Sequence, residues 1–425
     1  MPMTARDVAR RVLDRVTKDA AWATPTLDGE LARAGLDDRD RRLASELVYG
    51  VLRHRTRIDR ALAAHAKLDR TPPRVLTALR VAAYQLLFLD RVPAYAAVDD
   101  AVAAARSAGG AKLAGFVNAV LRKLGREREP ALPPSGRERI EIEHSLPRWI
   151  VDELVAAGTP GDEAELAARA AAFAQPASII ARVNVRRTTR DALVEELREA
   201  GVTATPIAAA PSALALEGLG DPTRNAAFLA GRWTVQDTGA QLVGHAAAPR
   251  PGTRILDACA GVGGKSTHLA ELTDDAATID AADLNRTKLE LCAQTAQRLG
   301  LTSIRRHACD LLDPAAPLAE AYDLIVLDAP CSGLGVLRRH PDAKWRLQPA
   351  DVPRLADLQR QLLEAILPRL APGGTLVYSV CTFTRAEGPD QVAALVARSG
   401  LRLVSEQRTW PPDADAFYIA RLERT

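Results

Sequence analysis

The stretch DAPCSGLGVLRRHPDAKW, residues 328–345, follows YDLIVL, an apolar run with the look of a buried strand. Asp328 and Cys331 therefore stand where a strand ends. A second apolar run, GTLVYSVC, closes about fifty residues later on Cys381. Two thiols at two strand ends suit covalent chemistry on a weakly nucleophilic carbon, such as carbon 5 of a pyrimidine. A thiolate adding at carbon 6 raises electron density at carbon 5, which can then take an electrophilic methyl group. An acid near N3 must offset the charge developing in the ring, a role that suits Asp328. The carbon-5 proton must leave afterwards, and a second thiol can serve as base or relay. The spacing does not say which cysteine attacks.

The loop DACAGVGGKSTHLA follows an apparent strand and opens a helix. Its glycines let backbone N–H groups approach a ligand, and a helix start favours negative charge. A phosphate-binding P-loop would need glycine at Cys259, and the dinucleotide pattern would need glycine at Ser266, so both fail. The next strand ends in Asp283, suited to ribose hydroxyls. A Gly-rich loop without phosphate logic plus a ribose-binding acid points to S-adenosylmethionine as cofactor. Asp310, after the third strand, is placed to meet the adenine amine.

The elements that must position these residues form three segments. Residues 1–130 read as an all-α bundle, with apolar residues at three- and four-residue spacing in ARDVARRVLDRV, RRLASELVYGVL and RVLTALRVAAYQLLFL. A Pro-rich, charged linker, REREPALPPSG, follows. Residues 137–245 mix strand-like ASIIARVNV with helix-like TRDALVEELREAG, a small α+β subdomain. Residues 246–425 alternate strands and helices, the rhythm of βαβ units and a doubly wound α/β sheet of Rossmann-like type. Ligands of such sheets bind beyond the carboxyl ends of the strands. Asp257, Asp283, Asp310, Asp328 and Cys381 all sit at those ends.

Bulk properties agree. The 425 residues carry a net charge of +3, so any nucleic-acid footprint must be local. No apolar run is long enough to span a bilayer. The five cysteines all lie beyond residue 258, which argues against a disulfide framework and for a reducing, cytoplasmic setting. Histidines are scattered without metal-ligand spacing, and no metal is expected.

With these residues in place, the chain resembles the RNA 5-methylcytosine methyltransferases, most closely the RsmB (Sun, Fmu) type that acts on small-subunit ribosomal RNA. ASELVYGVLRHRTRIDRAL, LRVAAYQLLFLDRVPAYAAVDDAV and FVNAVLR are similar to its NusB-like helical domain. HSLPRWIVDEL and WTVQDTGAQL are similar to its middle segment. DACAGVGGKSTHLAE, DAPCSGLGVLRRHPDAKW, LAPGGTLVYSVCTF and DAFYIARL are similar to its catalytic domain. The resemblance implies that Cys381 is the nucleophile and Cys331 assists release. It also implies that Cys259, Ala260, Gly261, Val262, Gly263, Gly264, Lys265, Asp283, Asp310 and Asp328 surround the cofactor, with Lys265 near cofactor or base. Three positions depart from the family pattern: Val380 replaces Thr, Gly388 replaces Asn, and Gly261 with Val262 replaces an Ala-Pro pair.

Cys292 and Cys309 read as core residues, and Cys259 as packing with its backbone in use. Arg338, Arg339 and His340 follow the catalytic motif closely, which points to RNA phosphate rather than a solvated turn. Arg53, Arg55, Arg57 and Arg60 crowd one apparent helix and read as a basic, RNA-contacting face. The expected partner is small-subunit ribosomal RNA or an assembly intermediate, bound by a monomer. Transfer RNA as substrate, or a non-catalytic antitermination-type RNA binder, are the rival readings.

Overall fold

Helix Ala5–Lys18 buries Val8, Ala9, Val12, Leu13 and Val16, one face of a 3.6-residue period. A capping box starts it: Thr4 Oγ accepts the Asp7 N–H, and the Asp7 carboxylate accepts the Thr4 N–H. Helices Asp38–Arg53 and Pro73–Phe88 approach closely because position 50 is glycine; a Cβ there would lie 2.0 Å from the Tyr84 ring. The long helix Ala94–Glu127 breaks at Gly109 and Gly110, where the backbone leaves helical angles. The computed structural model describes residues 3–158 and 163–424, which divide into two units.

The first unit holds these helices together with Arg137–Glu143, Arg148–Ala156 and Glu163–Ala174, and it also takes in Leu337–Leu347. That late segment caps helices of the bundle. Asp342 accepts the N–H of Ala23, the first residue of helix Ala23–Ala34, whose own N-cap Trp22 offers no side-chain bond. Lys344 Nζ donates to Arg53 O at 2.8 Å and Trp345 Nε1 to Leu52 O at 2.7 Å, satisfying end carbonyls of helix Asp38–Arg53.

The second unit comprises residues 176–336 and 348–425. A small antiparallel sheet holds β1 (Ile179–Val183), β2 (Thr203–Pro206), β3 (Ala213–Glu217) and β4 (Trp233–Val235) in the order β2-β3-β1-β4. A seven-stranded sheet follows: β5 (Arg254–Ala258), β6 (Thr278–Asp283), β7 (Ile304–Ala308), β8 (Tyr322–Asp328), β9 (Leu370–Val380), β10 (Arg402–Arg408) and β11 (Tyr418–Glu423). Its order is β10-β11-β9-β8-β5-β6-β7. Strands β5 to β9 pair in parallel, while β11 is antiparallel to both β9 and β10. Both faces of the sheet are covered, so central strands read as unbroken apolar runs. Along β8, Ile325 and Leu327 enter one core while Leu324 and Val326 enter the other.

The sequence reading of a helical region, an α+β region and a Rossmann-like sheet is what the chain forms. Among the described residues, no helix is long and apolar enough to cross a membrane.

Candidate active site

Register brings the thiols together. Asp328 on β8 pairs with Ser379 on β9, so Cys331 lies three residues past one member of that pair and Cys381 two past the other. Both leave the carboxyl ends of adjacent parallel strands. Their sulfurs are 3.3 Å apart, hydrogen-bond distance for thiols. Each is partly exposed. Glycine at 335 is needed for this closeness: its N–H donates to Cys381 O at 3.0 Å, and a Cβ would lie 2.7 Å from that same oxygen. The hydrogen bond to Cys381, burial, and the carboxylates of Glu387 and Asp328 together push the Cys331 thiol well above its ordinary value. Cys331 therefore keeps its proton at neutral pH.

Asp328 is held on both oxygens. Lys265 Nζ pairs with Oδ2, and Ser379 Oγ donates to Oδ1 at 2.9 Å. Burial opposes charge on Lys265, but the neighbouring Asp328 carboxylate outweighs it and raises the ammonium above its ordinary range.

The glycine loop is built from residues in left-handed backbone: Cys259 at φ 65°, Gly261 at 57° and Gly263 at 85°. Only glycine fits at 263, because a Cβ would come within 2.3 Å of Cys292 Sγ. Cys292 is thus a packing residue beneath the loop, fully buried on helix Arg286–Leu299. The N–H of Ala260 donates to Ala282 O, and that of Gly261 to Asp283 Oδ2 at 2.9 Å, locking the loop to the end of β6. Val262 is half-exposed at the loop's tip. Gly264 and Lys265 then open helix Gly264–Leu272. Asp283 is partly exposed and Asp310 exposed, each also accepting a backbone N–H two residues on.

Asp257, a strand-end candidate, does not face this site: it is fully buried and bonded to Ser266 Oγ. Burial raises its carboxyl to about 7. Val380 is fully buried in the sheet's core, and at Gly388 a Cβ would meet the Tyr418 ring at 3.0 Å.

The expectation that Arg53, Arg55, Arg57 and Arg60 share one helix needs correction. His54 interrupts the stretch, so it spans two helices, Asp38–Arg53 and Arg55–Ala63. Arg53 is buried at 7% exposure and donates to Arg338 O; Arg55 lies over the Trp345 ring and near Asp59. Arg57 pairs with Glu129 and covers Phe88, while Arg60 donates to the carbonyls of Pro130 and Ala131. These cations satisfy the helical unit itself. Arg338 is likewise 7% exposed, so it too presents no open charge; Arg339 and His340 are partly buried, and burial lowers His340.

Sequence reasoning missed two buried groups. Arg182 on β1, 0% exposed, forks onto Glu271 with both contacts at 2.9 Å, and also donates to Gln236 and to Gly264 O. A charged residue inside the strand-like run IIARV was the available signal. Glu387, also 0% exposed, sits under the thiols. Its polar setting, FTRAEGP, gave no chemical signal, although the family pattern has a glutamate before the position that Gly388 occupies. Among the described residues, no group of three or more His, Cys, Asp or Glu could hold a metal ion.

The sheet order, the glycine loop and the strand-end acids define a Rossmann-like methyltransferase domain carrying a pair of thiols. The chain belongs to the 16S rRNA methyltransferase RsmB/F family, whose model matches residues 245–423. The NusB family matches residues 3–126, and the Methyltr_RsmF/B-like ferredoxin-like domain matches 146–221. The chain is 38% identical over 396 residues to the probable ribosomal RNA small subunit methyltransferase B of Synechocystis sp., spanning 92% of this chain and 88% of that protein. The ribosomal RNA small subunit methyltransferase B of Vibrio cholerae is 36% identical, with 92% of each chain covered. The solved structure of PH0851 superposes with a TM-score of 0.83 over 100% of both chains at 22% identity, a likeness of fold.

Proposed function

We propose that this protein is an S-adenosylmethionine-dependent RNA cytosine C5-methyltransferase that modifies small-subunit ribosomal RNA through a covalent cysteine–cytosine adduct. The observation that carries the reading is the pair of sulfurs 3.3 Å apart beside the Lys265–Asp328 pair. Relatives named ribosomal RNA small subunit methyltransferase B support the choice of RNA.

The residues present fit the cofactor. The loop 259–263, with Cys259, Gly261 and Gly263 in left-handed backbone, leads into helix Gly264–Leu272, whose first N–H groups can face a carboxylate. Asp283 and Asp310 retain acceptor capacity for ribose hydroxyls and an adenine amine. S-adenosylmethionine, when bound, supplies the electrophilic methyl group.

Cys381 forms the S–C bond at carbon 6 of the cytosine, and the ring's double-bond electrons move toward carbon 5 and N3. The Lys265–Asp328 pair holds a proton against N3 and offsets that charge. Cys331, protonated in the resting site, passes its own proton on as it takes up the carbon-5 proton, and so serves as a relay beside Cys381 rather than as a free base. Loss of that proton expels the Cys381 thiolate and restores the ring.

The test is methyl transfer to unmodified small-subunit ribosomal RNA at substoichiometric enzyme, mapped by bisulfite sequencing beside transfer RNA. The expected result is multiple turnovers marking a discrete ribosomal cytosine. No transfer, or marks confined to transfer RNA, contradicts the proposal.

A further inference from the structure

Beneath the two thiols lies a closed polar layer that sulfur chemistry alone does not require. Ser332 follows Cys331 and Thr382 follows Cys381, and their buried hydroxyls meet at 3.0 Å. The Glu387 carboxylate gathers the rest. It accepts the Ser332 N–H at 2.7 Å, Ser332 Oγ at 2.5 Å, Thr384 Oγ at 2.8 Å and Gln359 Nε2 at 3.1 Å. Gln359 Nε2 also donates to Pro330 O at 3.0 Å, and the Tyr378 hydroxyl donates to Glu387's own carbonyl at 2.6 Å. One carboxylate thereby ties the Cys331 loop, the Cys381 loop and helix Asp351–Ile366 together.

Packing alone does not account for an acid here. Among the described residues, no ion pair reaches Glu387, and an unpaired buried carboxylate is costly unless its lone pairs are filled. What an ionised carboxylate adds is directionality, because it only accepts. Ser332 and Thr384 must both point their hydroxyl protons at it. With its proton so committed, Ser332 Oγ can only accept from Thr382 Oγ. The hydroxyl chain therefore runs one way, from the residue after Cys381 through the residue after Cys331 to Glu387.

We propose that Glu387 is a positioning residue that fixes the separation and orientation of Cys331 and Cys381, so that attack by one thiol is followed by release through the other. The inference rests on the cytosine-C5 reading above for its chemical consequence, but not for its geometry. Its charge also contributes to holding the proton on Cys331, behind the Cys381 sulfur and burial.

The experiment compares wild type with Glu387→Gln, which keeps the volume, removes the charge and introduces a donor among donors. Leu395→Ala is the control: a fully buried core leucine outside the thiol loops. Two readouts are taken. The first is partition on unmodified ribosomal RNA between turnover and adduct that survives denaturing gels. The second needs no RNA: the rate at which diamide, taking up both thiol hydrogens, closes a Cys331–Cys381 disulfide. Glu387→Gln should turn over about tenfold or more slowly, since a misplacement near 1 Å costs up to ~100-fold. Its trapped adduct should rise, and disulfide closure should slow several-fold. Leu395→Ala should melt earlier with both readouts unchanged in the folded fraction. Should Glu387→Gln not fold, Ser332→Ala and Thr384→Ala, each removing one donor, take its place with smaller shifts in the same directions. Wild-type partition and closure rates in these variants, or losses that merely track the folded fraction, overturn the inference. A wild type that neither methylates ribosomal RNA nor forms adduct sinks the C5 reading instead, and the disulfide rate still decides the role of Glu387.

Discussion

Two glutamates in the catalytic unit are both shut off from water, and their oxygens are satisfied in opposite ways. Glu271 faces a guanidinium: Arg182 grips both its oxygens and carries the contact on to the carbonyl of Gly264, at the start of helix Gly264–Leu272. Among the described residues, Glu387 faces only neutral donors. An ion pair is a strong joint between two elements, and here it ties the small sheet to the helix that opens beside the glycine loop. A carboxylate fed by hydroxyls and amides leaves its charge in place, next to the sulfurs. The first arrangement is a matter of assembly, the second of chemistry.

Breaking the first should therefore cost mostly stability. Arg182→Met strands a buried carboxylate, and the loss should be about 3–5 kcal/mol in urea denaturation. Burial already leaves Glu271 above its ordinary carboxyl range despite Arg182, so replacing both partners, Arg182→Met with Glu271→Leu, should recover most of the loss. A double variant as unstable as the single one would contradict this view of the pair.

A smaller effect concerns Asp257, a third buried carboxyl with a hydroxyl partner but no ion pair. Its folded-state value near 7 lies above the unfolded 3.8. The folded protein therefore binds the extra proton between those values, and stability falls as pH rises from about 4 to about 7. Asp257→Asn should remove that slope, gaining on wild type by at most ~4 kcal/mol at pH 8 relative to pH 4. Denaturation midpoints of the two proteins that stay parallel across this range would rule it out.

The same contrast explains how much of the molecule could be read from its sequence. The central strands β5, β8 and β9 were legible because both faces are buried and their runs are mostly apolar, whereas β7, IRRHA, is largely exposed. The thiols and Asp328 were legible because strand ends mark where such sheets bind ligands. The two buried groups were harder to read. Arg182 left one signal, a charge inside a strand-like run, that did not name its partner, and Glu387 lies in a polar loop resembling solvated surface. The surroundings of the arginines near residue 55 were illegible for the converse reason: a run of charge looks the same whether its partners are solvent, Glu129 or the linker carbonyls of Pro130 and Ala131. Nor does any local pattern show that residues 337–347, following the catalytic motif, pack as caps of the helical unit.

The most direct measurement pairs two variants on unmodified ribosomal RNA and asks for protein–RNA adduct resistant to denaturation. Cys331→Ala should still attack and then stall, so adduct accumulates with little turnover. Cys381→Ala should yield neither adduct nor methylated RNA. Adduct from Cys381→Ala, or from neither variant while wild type methylates normally, would contradict the division of labour between the sulfurs.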